Sequence, residues 1–379
     1  MGPALPLKDR AADPRAYHRL KLRVFLAGTA LDFGALAVFQ FGGPAAALKD
    51  LAENLSAHRP VQIAIYMAVF FTTLHLLSLP LGLYSGFRIE KRFALSTQSL
   101  RSWGIDRIKR YALGLVFFTG TMGSLLLLID AFPETWWLWA GAGWFLLTFG
   151  LARVFPTWIL PLFYPTRPLE RTALSERLLG LCRRLDINVR GGVHVIALSA
   201  KTRKANAALV GVGRSRRILL GDTLLGNFTE DEVEMVVAHE LGHHARHHIR
   251  RGLLLNATAA LAGFWILYRL SGPLTAAFGA NGFSDLGIFP AMAFLSGLGG
   301  LAALPLQNAY SRRLENEADD FALETLPSEP VFRSLMQKLG TLNLAHPDPH
   351  PAIEFLFYDH PSIKNRLLRA AAGYSGRTP

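Results

Sequence analysis

The chain has 379 residues, 51% of them hydrophobic, with a formal net charge of +12, a mean hydropathy of +0.25 and one cysteine. Such apolarity excludes a disordered chain, and a lone cysteine excludes an intrachain disulfide or a cysteine-built zinc site. The basic charge shows no interleaved basic and aromatic pattern of a nucleic-acid module, and basic loops beside anionic lipid head groups account for it without nucleic acid.

Six apolar stretches are long enough to cross a bilayer, which takes about 20 helical residues. They lie near 24–47, 61–84, 111–132, 135–160, 253–274 and 287–306. The first carries Asp32, and the fourth is rich in tryptophan, as suits a membrane interface. Asp32 and the basic segment before it fit an uncleaved anchor better than a signal peptide. Residues 1–23 hold six Lys/Arg and residues 85–110 hold seven, whereas the 49–60 loop has only Lys49 and Arg59, balanced by Asp50 and Glu53. The positive-inside rule then puts both termini and the 85–110 loop in the cytoplasm, together with the basic segments 165–252 and 307–379.

Four regions follow: a membrane segment 1–165 with about four spans, a polar segment 166–252, a transmembrane hairpin 253–306 and a polar segment 307–379. The fold expected is mainly α, a polytopic helical membrane protein of about six spans with a cytoplasmic α+β zincin-like domain. Within 166–252, Leu169 to Leu185 has helical spacing, Val193 to Leu198 and Ala205 to Val212 read as strands, and a Gly213-Arg214-Ser215 turn leads to a hairpin partner at Ile218 to Leu220.

One continuous helix is expected next. Thr229 with Glu232 forms a capping box, and Glu230, Asp231 and Glu232 suit the positive end of the helix dipole. Val233, Val236, Val237, Leu241 and Ile249 form the apolar stripe, and Arg250-Arg251-Gly252 supplies a stop. Inside it stands His239-Glu240-Leu241-Gly242-His243. Positions four apart share a helix face, so His239 and His243 can grip one zinc ion while Glu240 reaches a water beside it as general base. His243/His247 and His244/His248 are competing pairs, but only His239/His243 has a glutamate directly after its first histidine. The other histidines are read as solvated or as supports.

A catalytic zinc takes three protein ligands. After the sixth stretch, Glu315 and Asp319 are four apart on a helical run, so Glu315 can be the third ligand and Asp319 can orient a ligand. Glu317 is a rival ligand, and a solvated acidic helix is the plain alternative.

These motifs together resemble the CAAX prenyl protease 1 family of integral-membrane zinc metallopeptidases. The resemblance rests on His-Glu-x-x-His with Ser311-Arg312-Arg313-x-Glu315-x-x-Ala318-Asp319, on Tyr84 to Lys91, on Lys204-Ala205-Asn206-Ala207, on Asp222-Thr223-Leu224-Leu225 and on His360-Pro361-Ser362 with Arg366. The chain departs from the family at Arg92 to Ser96, where Gly-Phe-Asn is missing, and has six spans against seven in eukaryotic members.

The resemblance implies one zinc per chain on His239, His243 and Glu315, and Glu240 as base. It puts Asn206 and Ala207 on an edge strand that pairs with an extended peptide. His360 and Arg366 fall near the scissile carbonyl. The Ala/Leu/Arg/Gly-rich composition suggests a bacterial source, so with the loop charges the expected location is a bacterial inner membrane with the catalytic domain facing the cytoplasm. The alternative class is a non-enzymatic membrane scaffold with a structural zinc, whose four positions would all be filled by protein. Oligomeric state is not legible.

Overall fold

A computed structural model describes residues 13–170, 173–211 and 216–375. Six of its helices are long and apolar enough to cross a membrane. Their outer faces carry exposed Val116, Leu146, Trp158 and Leu254, the surface that a lipid solvent requires.

Helix α1 runs Pro14–Phe41, starting ten residues before the stretch expected at 24–47. Asp13 caps it by accepting from the Arg15 amide at 2.8 Å, with proline at the first position. It ends at Gly42-Gly43, where Gly43 is left-handed at φ 97°, and Pro44 begins a separate short helix α2 (Pro44–Leu55). Hydropathy merged the two because Ala45–Ala47 are apolar. Helix α3 (Arg59–Leu83) continues through the wide turn Tyr84–Ile89 as far as Arg92. Helices α4 (Leu100–Ala131) and α5 (Trp136–Val154) complete the first membrane group.

Four strands follow: β1 (Thr166–Pro168), β2 (Val193–Ile196), β3 (Ala207–Val210) and β4 (Arg217–Gly221). Their order is β1-β2-β4-β3, so β3 is an edge. The expected β3–β4 hairpin pairing is present and antiparallel, with Ala207 opposite Leu220, while β2 runs parallel to β4. The Gly213-Arg214-Ser215 turn lies outside the described residues. Helix α6 (Ala173–Arg184) packs Leu178 and Leu181 into the core beneath this sheet.

The expected continuous helix at 229–252 is instead two. Helix α7 is Glu230–Ala245, and α8 is His248–Phe278, the fifth span. His247 between them is left-handed at φ 57°, and its ring is exposed. Val233, Val236, Val237 and Leu241 are buried as the stripe predicts, but Ile249 lies beyond the break and is 51% exposed. The Arg250-Arg251-Gly252 stop does not operate, because those residues sit in the first turn of a new helix.

The sixth span does not end near residue 306 either. Helix α9 (Phe289–Thr325) is one 37-residue helix, with Pro305 inside it, that carries Glu315 and Asp319 in its last three turns. Helices α10 (Glu329–Leu342), α11 (Pro351–Phe357) and α12 (Ile363–Ser375) close the chain.

The apolar interior has two main parts. One, around Tyr66, Phe70, Trp136 and Phe289, binds the membrane helices together. The other, around Leu178, Ile218, Val237, Ala322 and Phe332, underlies the sheet and α7. Helices α7 and α9 cross where Gly242 faces Ala318, which is fully buried. A Cβ on Gly242 would lie 3.2 Å from the Ala318 backbone and 3.1 Å from Phe321, tighter than ordinary packing, so glycine suits this close approach. Gly242→Val is therefore expected to cost more than the roughly 1–3 kcal/mol of ordinary overpacking and to lower zinc content. Thermal unfolding and metal analysis in detergent check this, and a variant that melts and binds zinc like the parent would refute the close-contact account.

Candidate functional site

The sequence places α7 firmly. Thr229 accepts from the Glu232 amide, and Glu232 accepts from the Thr229 amide at 2.8 Å, so the capping box is complete. Glu232 also accepts from Lys338 at 2.7 Å and Ser334 at 2.6 Å, which ties the helix start to α10. Burial pushes the Glu232 carboxyl up, but these hydrogen bonds outweigh it and hold it below the usual range. With its start pinned and its middle pressed on Ala318, α7 presents His239 and His243 to α9.

There His239, His243 and Glu315 converge, the one group of three among the described residues whose ligand atoms fit around a metal, all within 4.8 Å. His239 Nε2 and His243 Nε2 are 3.1 Å apart, and the Glu315 oxygens lie 3.4 and 3.3 Å from them. A tetrahedral zinc with bonds of about 2.0–2.1 Å has edges of about 3.3–3.4 Å. The two imidazoles and the carboxylate, with contacts near these lengths through one or the other Glu315 oxygen, fit zinc in donor chemistry and approximate size, and all three residues stand at or beside the cavity that Glu240 lines. Glu317, the rival, points away and pairs with Arg251 at 2.6 Å and Arg313 at 3.1 Å.

Asp319 accepts from His239 Nδ1 at 2.9 Å, as the four-residue spacing suggested. It also takes both Nε and Nη2 of Arg366, at 2.7 and 2.5 Å. Arg366 therefore lines the cavity with two nitrogens committed to Asp319, and its strongest contact is with the histidine's anchor. Such a bidentate pair is short and directional. His360 stands on the other side, with Nε2 3.5 Å from Glu315 and Nδ1 donating to Asp359 at 2.9 Å. That bond to Asp359, against the opposing effect of burial, raises the His360 pKa.

Its loop is held from beneath. Arg312 donates to the Glu354 carbonyl at 2.9 Å and the Tyr358 carbonyl at 2.5 Å. Asn308 donates to the Leu356 carbonyl at 2.7 Å, and the Glu354 carboxylate takes the Ser362 amide at 2.9 Å. Carbonyls left over at the end of α11 thus find donors on α9.

These groups line a cavity of about 170 Å³ with Asn206, Ala207, Glu240, Met235, Phe332 and Met336. Burial lifts the Glu240 carboxyl above its ordinary range, His239 and His243 pull it partly back, and the Leu209 amide of β3 donates to it. The outer edge of β3 therefore faces Glu240. Asn343 fixes the approach to that edge: its Oδ1 accepts from Ala205 N at 2.9 Å and its Nδ2 donates to Ala205 O at 3.2 Å. No spacing or pattern in the sequence signalled Asn343. His248 was signalled only by the crowd of five histidines, and Glu317 only as a rival ligand.

Two family patterns cover nearly the whole chain. Peptidase family M48 matches residues 168–372, and "CAAX prenyl protease N-terminal, five membrane helices" matches residues 8–165. The chain belongs to peptidase family M48. Five helices, α1 to α5, lie within the second match, four of them long enough to span. The "Uncharacterized metalloprotease YhfN" of Bacillus subtilis is 29% identical over 361 residues, covering 93% of this chain and 84% of that protein. The "CAAX prenyl protease 1 homolog" of Arabidopsis thaliana is 28% identical, covering 83% of this chain and 74% of that one. The crystal structure of S. mikatae Ste24p superposes with a TM-score of 0.85 over 97% of this chain and 91% of that one, at 24% identity, which shows a shared fold.

This M48 chain is a multi-pass membrane zinc metalloprotease that acts on peptide bonds. The alternative of a non-enzymatic scaffold is not favoured.

One consequence concerns protons. Burial pulls the His239 imidazolium down, but its bonds to Asp319 and Glu315 outweigh that and lift its pKa to about 9. A metal that takes Nε2 must displace that proton anywhere below about pH 9. Zinc affinity is expected to rise about tenfold per unit between pH 6 and 8. Chelator competition on the purified protein measures this, and an affinity flat across that window would contradict it.

Proposed function

We propose that His239, His243 and Glu315 hold one zinc ion per chain and that Glu240 is the catalytic base of a peptidase taking its substrate as an extended strand. The observation that carries this reading is the convergence of His239, His243 and Glu315, with ligand atoms all within 4.8 Å of one another, beside Glu240 in a cavity that Asn206 and Ala207 also line. Zinc held there supplies Lewis acidity, polarising a carbonyl and making water a nucleophile near neutral pH.

The chain's own residues do the rest. The outer edge of β3, from Asn206 and Ala207 onward, receives the substrate backbone by strand addition, which needs little side-chain recognition. Glu240 takes a proton from water as it attacks and gives it to the leaving nitrogen. Its burial supports this, since a base nearer neutral pH transfers protons better in both directions. His360, a double donor when protonated, faces the developing oxyanion. Arg366 adds positive charge across the cavity and, through Asp319, holds His239 in place.

The working unit is a membrane domain, 1–165, and a peptidase domain built from 166–252 and 307–379, interrupted by the hairpin 253–306. It sits in a bacterial inner membrane with the zinc side in the cytoplasm. One end of the bundle gathers Lys49 of α2 with Asp285, and Arg59 at the start of α3 with Asp130 near the end of α4, and the site lies at the other end. Substrates are membrane-associated or unfolded proteins. The relatives named CAAX prenyl protease 1 make carboxy-terminal membrane-anchored peptides the first class to test.

Glu240→Gln is expected to retain zinc and the parental melting temperature while cleavage of casein or an unstructured peptide falls by about 10²-fold or more. Retained cleavage would remove Glu240 from the mechanism. For orientation, a cysteine at Glu134 is expected to react with an impermeant maleimide in intact cells and one at Arg92 to stay unlabelled, with the native Cys182 buried and silent. The reverse pattern would invert the topology.

A further inference from the structure

We propose that His248 is a positioning residue for the zinc centre, fixing which nitrogen of His243 faces the ion. The inference rests on the reading of His239, His243 and Glu315 as ligands.

His248 is 4% exposed, and its ring stands edge-on to His243 with centroids 5.0 Å apart. Its Nδ1 is 2.9 Å from His243 Nδ1, and its Nε2 is 3.2 Å from Glu317 Oε2. The proton directions follow by elimination. Glu317 receives Arg251 and Arg313 and is an acceptor only, so His248 Nε2 carries a hydrogen. The neutral His248 ring then has a bare Nδ1, which accepts. His243 Nδ1 must be the donor, which leaves the lone pair on His243 Nε2, the atom that faces His239 and Glu315.

The same result is reached for His239 by a shorter route, since Asp319 accepts from its Nδ1 directly. Both imidazoles are thus held in the tautomer that offers Nε2, one by a carboxylate and the other by a histidine backed with a carboxylate. Such supporting groups orient a ligand and raise its basicity.

The break in the chain makes this possible. In an uninterrupted helix, residues five apart point about 140° away from each other. His248 could not reach His243 in that case. The left-handed His247 turns the chain so that the first residue of α8 swings back over the last turn of α7. The fifth span therefore begins on a residue that touches a ligand.

The test measures the zinc dissociation constant of the full chain in detergent by chelator competition at one pH. The parent, H248L, H248N and H243A are compared, with melting temperatures of the zinc-stripped forms as control. Leucine fills the space without an acceptor, and asparagine keeps an oxygen at the Nδ1 position but fills less. H248L is expected to weaken zinc by about 10–100-fold, with H248N staying within a few-fold of the parent. If leucine does not fold, H248A takes its place. H248L binding like the parent, or better than H248N, would overturn the proposal, the second result assigning His248 to packing. Parental affinity in H243A would sink the ligand reading and the proposal with it, whereas loss in H243A with no change in H248L sinks the proposal alone.

Discussion

His239, His243 and Glu315 come together because two helices touch with almost nothing between them. Gly242 lies against the backbone of Ala318, and both sit within a few residues of the ligands they separate. A side chain at position 242 would press on Ala318 and Phe321 and push α9, with Glu315 and Asp319, away from His239. The glycine inside the zinc motif is thus a spacer, and the capping box at Thr229 and the grip of Lys338 on Glu232 keep the helix it belongs to from sliding.

Around this contact the protein arranges a chain of supports. Arg366 holds Asp319, Asp319 holds His239, and Arg312 and Glu354 hold the loop bearing His360. The segment leading into β3 is braced from two sides. Asn343 pairs with Ala205 as a short substitute strand, and Lys204 binds Glu90 at 3.1 Å, where Tyr17 of the first membrane helix also donates at 2.8 Å. The edge strand is therefore fixed to the membrane domain through Glu90, in the Tyr84 to Lys91 segment that the sequence singled out.

What could be read from the sequence was what short-range periodicity encodes. Ligand spacing of four, the capping box, the buried valines, the β3–β4 pairing and six apolar spans all depend on residues near one another in the chain. Features set by long-range packing could not be read. The left-handed His247 has no glycine or proline to announce it, and it undid the single helix expected there. Asn343 pairs with a residue 138 positions away, and the commitment of Arg366 to Asp319 appears only once α12 is laid on α9. The first span was misplaced for a different reason: averaging over Ala45–Ala47 hid the stop in Gly42-Gly43-Pro44.

Helix α9 is one rod from Phe289, just past the Lys49–Asp285 staple, to Glu315 and beyond. Between those two residues it spans roughly 39 Å at 1.5 Å per residue, so a pivot of about one degree at the staple sweeps the carboxylate through roughly 0.7 Å. Preorganised sites tolerate only about 0.5 Å. Bilayer thickness, which sets how a membrane helix leans, therefore acts on the same helix that carries Glu315 and Asp319.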